Sequence, residues 1–231
     1  MYSLNGFLGC YHRGVGKVYE NGLTVITAIF GDYDEVPPIP AGFDNAVLVS
    51  DMPIDSAWRN KVIDTQFNSF LASKIPKFRP DLFCETEYSV WIDANIRDPK
   101  NWLCKETKNQ LKTNDFVLFG HPNRKTITRE VKESRKFAKY NHAMLELQLS
   151  WYLEQGFPDN IGLWACGIIA RKHNANNIEF GNSWFLENAR WSIQDQISFA
   201  YLVWERQFSF GLFPGNLWKS PLRFMEHKQQ K

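Results

Sequence analysis

A chain of 231 residues with 44% hydrophobic content can bury one sizeable α/β core and is short for two, so one domain with decorations is expected over 1–231. A formal net charge of +2, with no Lys/Arg block beyond what a solvated helix face carries, gives a nucleic-acid partner little support and leaves small acidic ligands open. Cys10, Cys84, Cys104 and Cys166 show no Cys-x-x-Cys spacing, which argues against a zinc knuckle or a disulfide framework and for buried free thiols.

Residues 1–22 read as an irregular lead-in rich in Gly and Tyr. Leu23 to Phe30 is a near-continuous β-prone run closed by Gly31-Asp32-Tyr33-Asp34, the pattern of a strand buried on both faces. The cluster Pro37-Pro38-Ile39-Pro40 then carries the chain to a short strand, Ala46 to Ser50, that ends at Asp51. Ala57 to Leu71 reads as a weak helix with Val62, Ile63, Phe67, Phe70 and Leu71 on one side, followed by Lys74, Lys77 and Arg79. Tyr88 to Ile92 is a strand. Asp98-Pro99 opens a helix to about Leu111, and Phe116 to Phe119 is a strand running into Gly120-His121. Helices are expected at Thr128 to Lys139 and at Met144 to Gln155, the second closed by Gly156-Phe157-Pro158. A strand at Gly167 to Ala170, helices at Trp184 to Ala189 and Asp195 to Glu205, and an irregular basic tail over 206–231 complete the chain. This alternation implies an α/β fold around a mostly parallel sheet covered on both faces.

Ligands of such sheets bind beyond the carboxyl ends of the strands. The sequence places Gly31-Asp32-Tyr33-Asp34, Asp51, Asp93 with Asn95, and His121 at those ends. Alternation along a strand would point Asp93 and Asn95 the same way, so that both reach one ion or one phosphate. An Asp/Asn turn closing the strand is the ordinary alternative. No basic-then-apolar leader and no apolar run of bilayer length is present, so no transmembrane segment is expected, and the expected location is the cytoplasm, or a host's cytoplasm for a viral chain. Aromatic content of 15% with nine Trp could indicate sugar-stacking surfaces, but most rings sit in apolar patterns and are read as core.

In order, Thr27-Ala28-Ile29-Phe30-Gly31-Asp32-Tyr33-Asp34, Ser89-Val90-Trp91-Ile92-Asp93-Ala94-Asn95, His121-Pro122-Asn123-Arg124, Gly156-Phe157-Pro158 and Gln194-Asp195-Gln196-Ile197-Ser198-Phe199 resemble a glycosyltransferase-like family with members in the plant Golgi, bacteria and large DNA viruses. The resemblance runs from about Thr24 to Trp204 and is to glycosyltransferases of the GT-A type, a single Rossmann-like nucleotide-diphospho-sugar domain. It implies that Thr27, Ala28, Phe30 and Tyr33 line the nucleoside pocket and that Asp51 approaches the base or ribose. It implies a divalent cation, Mn²⁺ or Mg²⁺, on Asp93 and Asn95, with His227 as third ligand. The usual Asp-x-Asp is here Asp-x-Asn, and a neutral amide oxygen weakens such a site. Lys74, Lys77 and Arg79 fall where related enzymes keep cations for the pyrophosphate, and Asp195-Gln196 resembles the pair that faces the donor sugar. Asp195 would then be the catalytic carboxylate beside Asp93, as base for an inverting transfer or stabiliser of a cationic sugar in a retaining one; helix capping is its alternative role, and Glu130 and Asp159 are the next candidates. His121 and Arg124 are expected on the acceptor or phosphate side, with Trp164, Gly167 and Arg171 beside them, while His12, His142 and His173 are read as structural or surface histidines.

The expected activity is metal-assisted transfer of a sugar from a nucleoside-diphosphate donor, a UDP-sugar, to a glycan acceptor. A catalytically silent sugar-nucleotide or glycan-binding module is the first alternative, which the Asn at the metal motif allows. A nucleotidyltransferase is the second, and the chain lacks the Gly-rich phosphate loop with a following Lys that would support it.

Overall fold

The computed structural model describes residues 17–228. Cys10, His12 and most of the expected lead-in lie outside the described residues. Strand β1 (Glu20–Ile29) sits between β2 (Asn45–Ser50) and β4 (Thr86–Ile92), parallel to both, with Ile26 level with Val47 on one side and Trp91 on the other. Both its faces are covered, which is why its apolar run is unbroken. With β3 (Arg59–Val62), β6 (Phe116–Gly120), β7 (Trp164–Lys172) and β8 (Gly211–Leu212) these strands form a seven-stranded sheet in the order β3-β2-β1-β4-β7-β6-β8. Strand β7 runs against β4 and β6, and every other pairing is parallel. The mostly parallel α/β sheet expected from the sequence is therefore present.

Alternation along the strands divides the core. Ile26, Ala28 and Phe30 face α1 (Ser69–Ala72), α2 (Lys74–Phe78), α4 (Ile127–Ser134), α5 (Leu145–Glu154), α6 (Ala175–Arg190) and α7 (Asp195–Arg206), where most of the rings pack. Phe78 stacks on Trp184 at 4.2 Å and Phe180 on Phe208 at 3.8 Å. Val25, Ile29, Val90 and Ile92 face α3 (Trp102–Gln110) together with Phe213 and Leu217. Cys84, Cys104 and Cys166 are buried free thiols, and no helix among the described residues is long and apolar enough to cross a membrane.

Several elements differ from expectation. The helix expected over Ala57 to Leu71 survives only at its end, where Ser69 to Leu71 enter α1; its earlier part forms β3, because the open edge of β2 offers backbone partners that a weak apolar spacing does not. Asn60 reinforces that edge, its amide donating to the carbonyl of Leu48 and to the hydroxyl of Ser50. Helix α3 begins at Trp102, three residues later than expected, with the Asp98 carboxylate accepting from the amides of Trp102 and Leu103. The expected strand at Gly167 lengthens to the whole of β7, and α6 extends upstream to Ala175, capped by Asn174. The tail is partly ordered into sheet: Gly211–Leu212 joins β6, and β9 (Arg223–Phe224) pairs antiparallel with β5 (Ile96–Arg97).

Candidate functional site

At the carboxyl ends of the parallel strands lies a crevice of about 510 Å³. Its walls come from the end of β1 and the loop after it, from α1 and α2, from the end of β4, from the start of β7, and from Arg124, Glu130, Lys139, the start of α7 and His227. Because β7 is antiparallel, it is its first residues, Cys166 and Gly167, that reach this end of the sheet.

The floor carries two carboxylates joined through a lysine. Lys77, 4% exposed, places its ammonium 3.1 Å from Asp93 and 2.7 Å from Asp195, and Lys74 adds a second contact to Asp195 at 2.9 Å. These lysines stand three apart on α2, so the helix presents both to the same side. Asp93 also accepts a 2.7 Å hydrogen bond from the Trp91 indole. Burial opposes the charge on Asp195, but Lys74 and Lys77 outweigh it and hold the carboxyl well below the usual range. Burial likewise opposes the charge on Lys77, and Asp195 with Asp93 reverses it, so this ammonium stays protonated.

Buried structure fixes that geometry. The Arg171 guanidinium donates to the carbonyls of Lys77 and Phe78, at 2.8 and 3.1 Å, which ties down the end of α2. Helix α6 meets the same end at Gly181, where a Cβ would stand 2.1 Å from the Phe78 carbonyl oxygen, so no side chain fits. At the start of α7 the capping side chain is Gln194, which accepts from the Gln196 amide, and the Asp195 carboxylate is turned to the lysines. Trp184 donates its indole N–H to the Asp195 carbonyl at 3.0 Å. Gln194 is held in turn by donating to Glu130 at 2.9 Å, and Glu130 pairs with Arg124.

The crevice brings together Ala28, Phe30, Tyr33, Lys74, Lys77, Asp93, Arg124, Asp195, Gln196 and His227 from the residues expected there. Others stand elsewhere. Thr27 is fully buried on the face opposite Ala28, since adjacent residues of a strand cannot share a face. Asp51 accepts from the Gly31 amide and braces the loop after β1. Arg79 is turned into the core, bonded to Asp81 at 2.8 Å and to Asn182. Trp164 packs against Phe199 and Phe210. The His121 side chain is buried and accepts the amides of Asn123 and Arg124 on Nδ1, which shapes the turn presenting Arg124. Asp159 accepts from the Ile127 and Thr128 amides, at the start of α4, whereas Glu130 lines the crevice. Lys139 and Gly167 also line it. Nothing in the sequence marks Lys139, which stands in a short 3₁₀ turn at Ala138–Tyr140 where a continuous helix was expected.

The residues expected to ligate a divalent cation do not fit one. Strand β4 stops at Ile92, and Asp93 to Ile96 is a turn closed by a 2.9 Å bond from the Ile96 amide to the Asp93 carbonyl, so alternation does not hold for Asn95. Asn95 lines a neighbouring cavity and donates its amide to the Met225 carbonyl at 3.2 Å. His227 is bonded through Nδ1 to Asp34 at 2.7 Å, and its ring leans on Tyr33. Among the described residues no three His, Cys, Asp or Glu side chains gather into a ligand set.

Residues 45–227 match the family model described as TOD1/MUCI70, glycosyltransferase-like domain. A curated relative, the probable hexosyltransferase MUCI70 of Arabidopsis thaliana, is 26% identical over 171 residues, 69% of this chain and 27% of that protein. The chain thus spans about a quarter of that relative's length. Among solved structures, the WbbM bifunctional glycosyltransferase in its apo form superposes with a TM-score of 0.46 and 14% identity, covering 85% of this chain and 39% of the other.

Proposed function

For a chain that belongs to the TOD1/MUCI70 glycosyltransferase-like family, we propose that the crevice transfers a sugar from a nucleoside-diphosphate donor, UDP-linked, to a carbohydrate acceptor. The observation that carries this reading is the Asp93–Lys77–Asp195 array at the carboxyl ends of the parallel strands. The ammonium groups meet the charge that builds on a departing diphosphate, and the carboxylates meet the charge that builds on the sugar.

Asp195 is held ionised, so it is a poor proton acceptor and a good stabiliser of a cationic sugar. In the step as we read it, the bond from the anomeric carbon to the phosphate oxygen breaks with its electron pair going to UDP. The acceptor hydroxyl oxygen bonds to the same carbon, and its proton passes to the departing phosphate oxygen. Gln196 supports a sugar at this place: it lines the crevice beside Asp195, where its side-chain amide offers hydrogen bonds to a sugar hydroxyl.

The reading is tested by incubating the chain with a panel of UDP-sugars and following release of UDP. Slow hydrolysis of one donor, with water in place of the acceptor, is expected. A catalytically silent binding module is favoured by one observation, the lysine partners already held by both carboxylates. Thermal stabilisation by UDP-sugars with no UDP released from any of them would establish that module.

A further inference from the structure

Resting on the nucleotide-donor reading above, we infer that the donor's diphosphate is held by the ammonium groups of Lys74, Lys77 and Lys139 and that the site works without a divalent cation. One oxygen of each carboxylate a cation would need is already engaged by ammonium groups. Asp93 Oδ1 accepts from Trp91 and Lys77, and Asp195 Oδ2 from both Lys74 and Lys77. A dication on either would stand beside a buried ammonium stripped of its partner, a large cost in a site of low dielectric. The backbone that carries Lys77 is clamped by Arg171 and by the close approach of α6, so the lysine cannot be carried away by a shift of α2.

The same lysines have hydrogen-bonding capacity to spare. An ammonium has three N–H donors. Lys77 uses two on carboxylates and Lys74 uses one. Lys139, on the rim of the crevice, has no carboxylate within ion-pair distance among the described residues and lies against the Tyr140 ring. Although Lys139 is exposed at the crevice rim, desolvation by the protein around it and then the charge of Lys74 work against its protonation, a conflict that an incoming anion relieves. A diphosphate supplies several acceptor oxygens and the negative charge this cluster lacks.

Calorimetric titration of the full chain with UDP, once in EDTA and once in Mn²⁺, tests the inference. Affinity should agree within about threefold between the two, and Lys139→Gln, an exposed change compatible with folding, should weaken UDP about tenfold in both while leaving the weaker binding of uridine unchanged. Lys74→Gln should act in the same direction. UDP binding that appears only with Mn²⁺, or that ignores Lys139→Gln, overturns the inference and leaves the nucleotide-donor reading standing. Absence of UDP binding under both conditions overturns the two together.

Discussion

Gly181→Ala isolates the clamp behind the lysines, because two effects of opposite sign act on it and the structure decides between them. In an exposed helix the change would stabilise by roughly 1 kcal/mol, since Ala is a better helix former. Here the new Cβ would lie 2.1 Å from the Phe78 carbonyl oxygen, and α2 and α6 must part by about 0.9 Å to reach even 3.0 Å. The atom in the way is backbone, tied by Arg171, and cannot rotate aside. Overpacking of this kind costs about 2–3 kcal/mol, so the net loss is about 1–2 kcal/mol and the melting temperature falls by roughly 2–8 °C. The displaced carbonyl belongs to the residue after Lys77, so UDP-sugar hydrolysis should fall tenfold or more, although Gly181 lines no part of the crevice. Urea denaturation and UDP release measured on the same preparations check both. Equal or higher stability with unchanged turnover would refute the argument that α6 sets the position of the lysine pair.

Asp195→Asn should lower UDP-sugar hydrolysis about a hundredfold and stability by about 3 kcal/mol, because two lysines lose a shared buried partner; turnover within a few-fold of the parent in a hydrolysis assay would remove Asp195 from the chemistry. Asn95→Asp should leave Mn²⁺ affinity unchanged in a calorimetric titration and cost about 1–2 kcal/mol in thermal unfolding, since a carboxylate would then face the Met225 carbonyl; tighter Mn²⁺ binding would instead put this side chain on an ion. His173 is pushed down to about 4 by burial, and His121 to about 4 by burial and then Arg124. The unfolded chain therefore binds protons that the folded one refuses between pH 6.5 and 4, so stability is full above 6.5 and falls on acidification, by about 2 kcal/mol per histidine at pH 5. Urea titrations at pH 7.5 and 5 should show that fall, reduced in His173→Gln; a stability independent of pH over this interval would contradict it.

The sequence marked the site wherever a strong local pattern met a strand end. Asp93 follows the buried run of β4, and Asp195 opens an amphipathic helix behind a capping Gln, so both were visible. Lys74, Lys77 and Arg79 looked like one basic loop. The five residues of α2 are too few to show a period, and only the folded helix sends the two lysines to the crevice and Arg79 to Asp81 on the other side. Thr27 was misplaced by treating a strand as if adjacent residues shared a wall, and Asn95 by extending strand alternation past the point where β4 ends. Strand β3 carries no apolar signal in Arg59–Val62, and its conformation comes from the partner it pairs with. The direction of β7 is equally non-local, and with it the place of Gly167 beside Asp93 and of Arg171 beneath Lys77.

The contacts that set the lysines also dictate when in folding they can form. Strands β1, β2, β3 and β4 are complete by Ile92, yet Arg171 comes to the Phe78 carbonyl from 93 residues away and Asp195 to Lys74 from 121. Closing loops of this size is entropically costly and slow relative to local pairing. Until β7 has inserted between β4 and β6, Lys77 belongs to a half-built sheet in which its charge has no place in the interior. Completion of the crevice is therefore tied to the last long-range closures of the fold, and a fragment ending before Asp195 can form most of the parallel sheet without forming the crevice floor.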